Sequence, residues 1–290
     1  MRILLTGATG CLGQALVSEL TGAGHEVIAL LRSDHGLQGV ETIVADLTRE
    51  LPLNKLPGTV DTVLHAAQSR RFREFPDGAA EVFAINTAAT FRLVEYARAA
   101  KAQSFVYTST GSVYVPQPAP VDEASATAPA SFYPASKLAA EALLAPYSSI
   151  LAVSILRLFY VFGPGQTKML VDGLADRISR GVVVTLQGED GIRLAPTYSG
   201  DAASMIRTAA EQSWKGTYNA ASPVIVSLKE LAMEIGKAVG REPVFDRLQA
   251  PVPATPLPNV EKLSAIYDIA QLTPLGKALQ RTFGEDAAQL

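Results

Sequence analysis

The sequence predicts an α/β fold, a doubly wound parallel sheet with a smaller C-terminal part. Three observations carry that expectation. Short β-branched or apolar runs alternate with helical stretches over the first 157 residues, the mark of parallel strands covered on both faces. A glycine-rich turn, Thr6-Gly7-Ala8-Thr9-Gly10-Cys11-Leu12-Gly13, falls between the first strand and the first helix. Hydrophobic residues make up 48% of the 290 residues against 18% charged, enough to bury a large core and to exclude overall disorder.

Arg2 to Thr6 reads as the first strand, and Cys11 to Ala23 as a helix with Leu12, Leu16 and Leu20 on one face. Strands follow at Glu26–Leu31, Glu41–Ala45 and Asp61–His65, then a loop and a long Ala-rich helix over Ala79–Ala100. Ser104–Thr108 is a fifth strand; a helix from Tyr133 precedes a sixth at Ile150–Leu158. Past Arg157 the rhythm changes. Gly163-Pro164-Gly165 signals a turn, Lys168–Arg180 a helix, and Val182–Leu186 a strand-like stretch. Ser227 with Glu230 three residues on has the spacing of a capping box for a helix to Val239. Four prolines between Pro251 and Pro258 mark an extended loop, and the tail from Gly284 to Leu290 is expected to fray. The expected division is residues 1–158 for dinucleotide binding and 159–290 mainly for substrate, with some C-terminal segments returning to the sheet.

Composition excludes several functions. Lys+Arg 25 against Asp+Glu 28 gives a net charge of -3, no footprint for nucleic acid or an anionic membrane surface. The single cysteine, Cys11, rules out an intramolecular disulfide. His25, His35 and His65 show no metal-ligand spacing, so no metal is expected. No apolar run reaches the length of a secretory signal or a membrane span, and a cytoplasmic location is expected.

The glycine spacing lets the backbone turn tightly and approach a pyrophosphate seated on the helix N-terminus; Cys11 within it reads as a small packing residue. The end of the second strand selects the dinucleotide, a carboxylate choosing NAD and a cation tolerating the 2′-phosphate of NADP. Here Arg32 and Ser33 precede the first acid, Asp34, which favours NADP; a solvated surface arginine is the plainer alternative. Asp46 after the third strand could bind the adenine amino group; a helix N-cap is the plainer alternative. Tyr133 and Lys137 are spaced i, i+4 and share a face if a helix begins there. A phenol has a pKa of about 10 and is a poor base near neutrality, and an adjacent ammonium favours its phenolate. Thr108, Ser109 and Thr110, at the end of the fifth strand, supply three candidate hydroxyls to polarise a substrate oxygen.

In these stretches the chain resembles an extended short-chain dehydrogenase/reductase of the NAD-dependent epimerase/dehydratase family. The resemblance runs through TGATGCLG at 6–13, ADL at 45–47, HAA at 65–67, Asn86, VYTSTGSVY at 106–114, YPASK at 133–137 and LRLFYVFGPGQ at 156–166. It continues through Arg193, YSGDAA at 198–203 and GTYNAAS at 216–222. It implies a Rossmann sheet, cofactor contacts at Gly7, Thr9, Gly10, Cys11, Leu12, Gly13, Asp46, Leu47, Ala66, Ala67, Asn86, Thr108 and Phe159, and a homodimer built on the long helix and the helix after Tyr133. It further implies Tyr133 as catalytic acid/base, Lys137 as its pKa-lowering, ribose-binding partner, and Thr110, with Ser109 beside it, bonding the reacting oxygen. Phe159 matches a residue near the nicotinamide, and Arg193 an arginine that pairs with a substrate pyrophosphate; an exposed strand charge is the plainer reading of Arg193.

Departures bear on substrate. The family's Arg-x-x-Asn reads Arg157-Leu158-Phe159-Tyr160, and Tyr160 cannot reproduce the amide's contact with a nucleotide-sugar phosphate. Gly111-Ser112 follows Thr110 where sugar dehydratases have an Asp-Glu pair, which argues against dehydration. Arg70-Arg71-Phe72-Arg73 could meet an anion or form a solvated face. Three readings follow: an epimerase that recycles bound NAD, an NADPH-dependent ketone or aldehyde reductase, and a non-catalytic dinucleotide-binding protein. The epimerase is favoured narrowly over the reductase.

Overall fold

The computed structural model describes residues 1–33, 37 and 39–284; Asp34, His35 and the tail 285–290 lie outside them. Six strands form in order: β1 (Arg2–Thr6), β2 (Glu26–Leu31), β3 (Glu41–Val44), β4 (Thr62–His65), β5 (Ser104–Thr110) and β6 (Ala152–Leu158). With the Gly216–Ala220 strand they make one seven-stranded sheet. Its order is Gly216–Ala220, β6, β5, β4, β1, β2, β3, every pairing parallel. The chain moves one way from β1 through β2 to β3 and the other way from β4 on, so the crevice where ligands bind such sheets opens beyond the carboxyl ends of β1 and β4.

Strand alternation divides the core between two faces. Leu4, Ile28, Leu30, Val63, Phe105 and Tyr107 pack on one side with Leu93, Val94 and Leu144. Ile3, Leu5, Val27, Leu64, Val106 and Leu156 pack on the other with Leu16, Leu20, Met205 and Ile206. The first face is covered by α3 (Ala89–Ala99) and α4 (Phe132–Leu144), the second by α1 (Cys11–Gly22) and α6 (Ser199–Glu211). Beyond the sheet, α5 (Leu170–Ser179), α7 (Leu228–Val239) and the Leu275–Phe283 helix enclose a separate core of Val171, Leu174, Leu186, Leu231, Ile235 and Leu279. Thus α6 and the Gly216–Ala220 strand, both beyond residue 158, belong to the sheet layer.

Several elements differ from expectation for local reasons. The long helix is broken into α2 (Ala79–Phe83), a π-turn over Ala84–Ala88 and α3. β5 runs on to Thr110, and β6 starts only at Ala152 because a 3-10 turn, Ala145–Ser149, precedes it. α5 begins at Leu170, since Lys168 stands at φ 61 and the Met169 N–H is taken by Asp172 Oδ1 at 2.7 Å. The strand after it is displaced to Val184–Gln187. Ser227 and Glu230 do form the reciprocal capping box, with bonds of 3.1 and 2.7 Å.

Candidate functional site

The glycine loop turns where β1 ends. Gly7 has φ +83, and a Cβ there would stand 2.7 Å from Ala67 N and 2.8 Å from the Ala66 carbonyl carbon. A Cβ at Gly13 would lie 1.9 Å from Gly7 O, so both glycines are required by the chain's own packing. Gly10 differs: its nearest neighbour would be an ordinary 3.5 Å away. Gly10 is the N-cap of α1, makes no side-chain cap bond, and no acid stands in the first turn. The helix therefore presents unsatisfied N–H groups and a positive dipole end past a residue with no side chain, a cradle that fits a pyrophosphate. Cys11 lies beside it half-buried; burial pushes its thiol pKa up, against a hydrogen bond with Ser199.

Arg32 is exposed at the end of β2. Asp46 Oδ1 accepts both the N–H (2.9 Å) and the hydroxyl (2.8 Å) of Thr48, which hold its carboxyl below the usual range, with smaller help from Arg49 and Arg32. These bonds close a local turn, and among the described residues no helix starts there for Asp46 to cap. Leu47 is buried beneath it.

Tyr133 and Lys137 occupy the first turns of α4, as their spacing requires. Tyr133 keeps some accessible surface, yet it lies deep enough in protein that desolvation pushes its phenol up to about 12, partly offset by the nearby Thr110 hydroxyl. Ser112 N–H donates to Thr110 Oγ1 at 3.2 Å, and Tyr133 Oη donates to Gln68 Oε1 at 2.9 Å. Lys137 is buried, and its ammonium donates to the Thr108 carbonyl at 2.9 Å. Burial brings its pKa down to about 7, with Glu141 acting the other way. In this geometry burial is the largest influence on both groups.

Asn86 sits in the π-turn, a feature frequent at functional sites. Its Oδ1 accepts Ser69 N–H at 3.2 Å and its Nδ2 donates to Ser136 Oγ at 3.0 Å, so it ties the loop after β4 to α4. Thr108 Oγ1 donates to the His65 carbonyl at 3.2 Å. Thr6 Oγ1 accepts Ala67 N–H at 3.3 Å and lies 2.7 Å from His65 Nδ1. Burial, and next the Lys137 charge, bring the His65 pKa down to about 3, which leaves the ring neutral.

Ser109 departs from expectation. Its hydroxyl is buried and donates to Glu141, which also takes Arg157 through bonds of 3.1 and 2.6 Å. It faces away from the Tyr133 side, which its neighbour Thr110 takes, because side chains alternate along β5. Phe159 is buried against Tyr114 and over Gly111, where a Cβ would meet its ring at 2.2 Å. Tyr160 has φ 41, a region that Asn tolerates better than Tyr; half-buried, it touches both the sheet-end cluster and the C-terminal core. Arg193 is exposed on a short strand paired antiparallel to Ser227. The basic loop is engaged locally: Arg71 bonds Glu74 at 2.7 Å, and Arg73 bonds the Lys168 carbonyl at 2.7 Å. Phe72 in that loop packs on the Tyr133 ring at 5.1 Å. Gln68, Phe72 and Glu141 escaped sequence reasoning; only Glu141, one further turn from Lys137 on the same helix face, had a signal to offer. Among the described residues no cluster could hold a metal ion, and no helix is long and apolar enough to cross a membrane.

A doubly wound sheet with a glycine loop facing a helix N-terminus defines a dinucleotide-binding α/β enzyme. The chain belongs to the NAD dependent epimerase/dehydratase family, which its residues 3–221 match. It is similar to a 3-diazoavenalumate denitrifying reductase of a Streptomyces species, 33% identical over 66% of this chain and 66% of the relative. It is also similar to a UDP-glucose 4-epimerase of Mycolicibacterium smegmatis, 29% identical over 84% of this chain and 85% of the relative. Among solved structures, MoeE5 in complex with UDP-glucuronic acid and NAD superposes with a TM-score of 0.85, 26% identical over the full length of both chains.

Proposed function

We propose that the protein is an NAD-dependent epimerase of a nucleotide sugar, with Tyr133 moving the proton of a secondary hydroxyl. The observation that carries this reading is the Tyr133 phenol on the first turn of α4, close to the Thr110 hydroxyl at the carboxyl end of β5 and donating to Gln68 Oε1 at 2.9 Å, with buried Lys137 one turn further along α4. When bound, the dinucleotide supplies the acceptor and donor of the hydride. Gly7, Gly10 and Gly13 with the α1 N-terminus hold its pyrophosphate, Leu47, Ala66 and Ala67 flank it, and Asn86 keeps the loop after β4 in place. Tyr133 Oη takes the hydroxyl proton as the alcohol becomes a ketone and returns it after the ketone turns over. Thr110 steadies the substrate oxygen. Lys137, titrating near neutrality, holds positive charge beside the developing phenolate and offers its remaining donors to the nicotinamide ribose. Phe159 closes the site beneath the nicotinamide, and exposed Arg193 meets the substrate pyrophosphate.

The exposed side chains Phe83, Phe91 and Leu143, on α2, α3 and α4, support a homodimer through those helices. A cytoplasmic location is part of this proposal. A second reading, an NADPH-dependent ketone or aldehyde reductase, is favoured by exposed Arg32 and by Tyr160 in the Arg-x-x-Asn position.

Identifying the nucleotide released on denaturing the purified protein, together with an assay of UDP-glucose to UDP-galactose conversion, tests the two. Stoichiometric NAD with interconversion supports the epimerase. Nucleotide-free protein that consumes NADPH with a ketone overturns it in favour of the reductase.

A further inference from the structure

We propose that Gln68 determines specificity: its carboxamide selects substrates that carry a second oxygen on the carbon next to the reacting one. The proposal rests on the reading of Tyr133 as the acid/base, and deepens it. Gln68 is exposed, at the first turn out of β4, and its Oε1 accepts the Tyr133 proton at 2.9 Å. The amide thus stands at the accepting end of the phenol O–H. That is the position a ketone oxygen must take to receive a proton from Tyr133. Gln68 thus does for the phenol what a substrate oxygen does during turnover.

A phenol has one proton. Once it points to substrate, Gln68 Oε1 has lost its donor and its amide needs a new partner. The loop restricts where that partner can lie. Ser69, the next residue, is fixed by its N–H on Asn86 Oδ1 at 3.2 Å and its hydroxyl on Glu81 at 2.7 Å. Phe72 closes the other side by packing on the Tyr133 ring. An oxygen about 2.8 Å from the phenol leaves the amide next to the carbons flanking the reacting centre. A hydroxyl on one of them can donate to Oε1, or accept from Nε2. A polyol or sugar offers such a group, whereas a simple ketone leaves the amide unpaired once substrate excludes water.

The test compares wild type, Gln68→Leu and Gln68→Glu on UDP-glucose and on its 3-deoxy analogue, which lacks the hydroxyl beside C4. Wild type is expected to prefer UDP-glucose by about tenfold or more in kcat/KM. In Gln68→Leu that ratio should fall towards one, through a loss on UDP-glucose, with NAD still bound. In Gln68→Glu a substrate hydroxyl can still donate to the side chain, so part of the preference should return. A Gln68→Leu variant that slows both sugars equally, or neither, overturns the proposal. If wild type turns over neither sugar nucleotide, the epimerase reading falls and the Gln68 assignment is tested separately. The pair is then hydroxyacetone and acetone with NADPH, where the same collapse of the ratio in Gln68→Leu is expected and an unchanged ratio refutes it.

Discussion

Glu141→Leu should cost the protein far more stability than an ordinary helix substitution, and the structure says how much. Glu141 and Arg157 form an ion pair with only 6% and 7% of their side chains exposed. The carboxylate takes two guanidinium bonds, at 3.1 and 2.6 Å, and the Ser109 hydroxyl as a third donor. Arg157 Nη1 already lacks a hydrogen bond, and the guanidinium lies over the Tyr114 ring at 4.6 Å. Removing the acid leaves a buried cation with a ring face as its remaining favourable contact. Breaking a buried pair in this way costs about 3–5 kcal/mol. With an unfolding entropy near 2.1 cal/mol/K per residue, a chain of this length loses about 5–8 °C in Tm.

The double variant Glu141→Leu/Arg157→Met should recover most of that loss, because two apolar side chains replace both charges. Calorimetry on the four proteins of the cycle reads the coupling directly. A single variant less than about 1 kcal/mol below wild type, or a double variant no more stable than the single, refutes the account of the pair. A second readout ties the pair to chemistry. Glu141 is the charge that keeps the Lys137 pKa from falling further. Without it Lys137 loses its proton at lower pH, and the alkaline limb of activity should move to lower pH in the single and the double variant alike.

Lys137→Met should abolish turnover while raising stability. The unfolded chain keeps the lysine proton up to about 10.5 and the folded chain releases it near 7, so the destabilisation is complete below pH 7 and fades as pH rises towards 10.5. That gap is worth about 5 kcal/mol, less about 1–3 for the Thr108 carbonyl left bare, so urea unfolding at pH 6.5 should favour the variant by about 2–4 kcal/mol. Above pH 10.5 only the carbonyl cost remains, and wild type should be ahead by about 1–3 kcal/mol. Tyr133→Phe should end turnover with NAD affinity intact and stability within about 1 kcal/mol, read by calorimetric titration and thermal melts; unchanged activity would sink the mechanism. Gly10→Ala should melt as wild type but bind NAD at least about tenfold more weakly, whereas Gly13→Ala, with its Cβ 1.9 Å from Gly7 O, should lose about 3 kcal/mol or more; equal melting temperatures for the two would refute the division of roles.

What the sequence disclosed and what it hid follow from chain separation. The glycine loop and the Tyr133–Lys137 pair are local: a strand end followed by a helix start fixes the first, and 3.6 residues per turn fixes the second. The hydroxyls of β5 are local as well, but choosing among them needs the facing of the strand. Alternation sends Ser109 to Glu141 while its neighbour Thr110 lies on the Tyr133 side. The π-turn leaves no trace in Ala84-Ile85-Asn86-Thr87-Ala88, which contains no helix breaker; it accompanies an Asn86 amide drawn between Ser69 and Ser136, partners 17 and 50 residues away. Gln68 meets Tyr133 across 65 residues, and nothing in its neighbourhood of the chain announces that contact.

Lys137 shows a different kind of limit. Its place beside Tyr133 is legible, and so is the attraction between an ammonium and a phenolate. Solvent is not legible, and burial outweighs that attraction here: it moves the phenol up to about 12 and the amine down to about 7, so both groups rest closer to neutral than the pairing rule implies. The pair is then poised for substrate rather than pre-ionised. A phenol that holds its proton serves the ketone half of the reaction at once, as a donor. It serves the alcohol half only when additional positive charge enters the cleft, which the oxidised nicotinamide ring of NAD carries. Oxidation would thereby be coupled to cofactor occupancy, and the acid limb of activity should follow the phenol of the NAD-bound protein, well below the value for the protein alone.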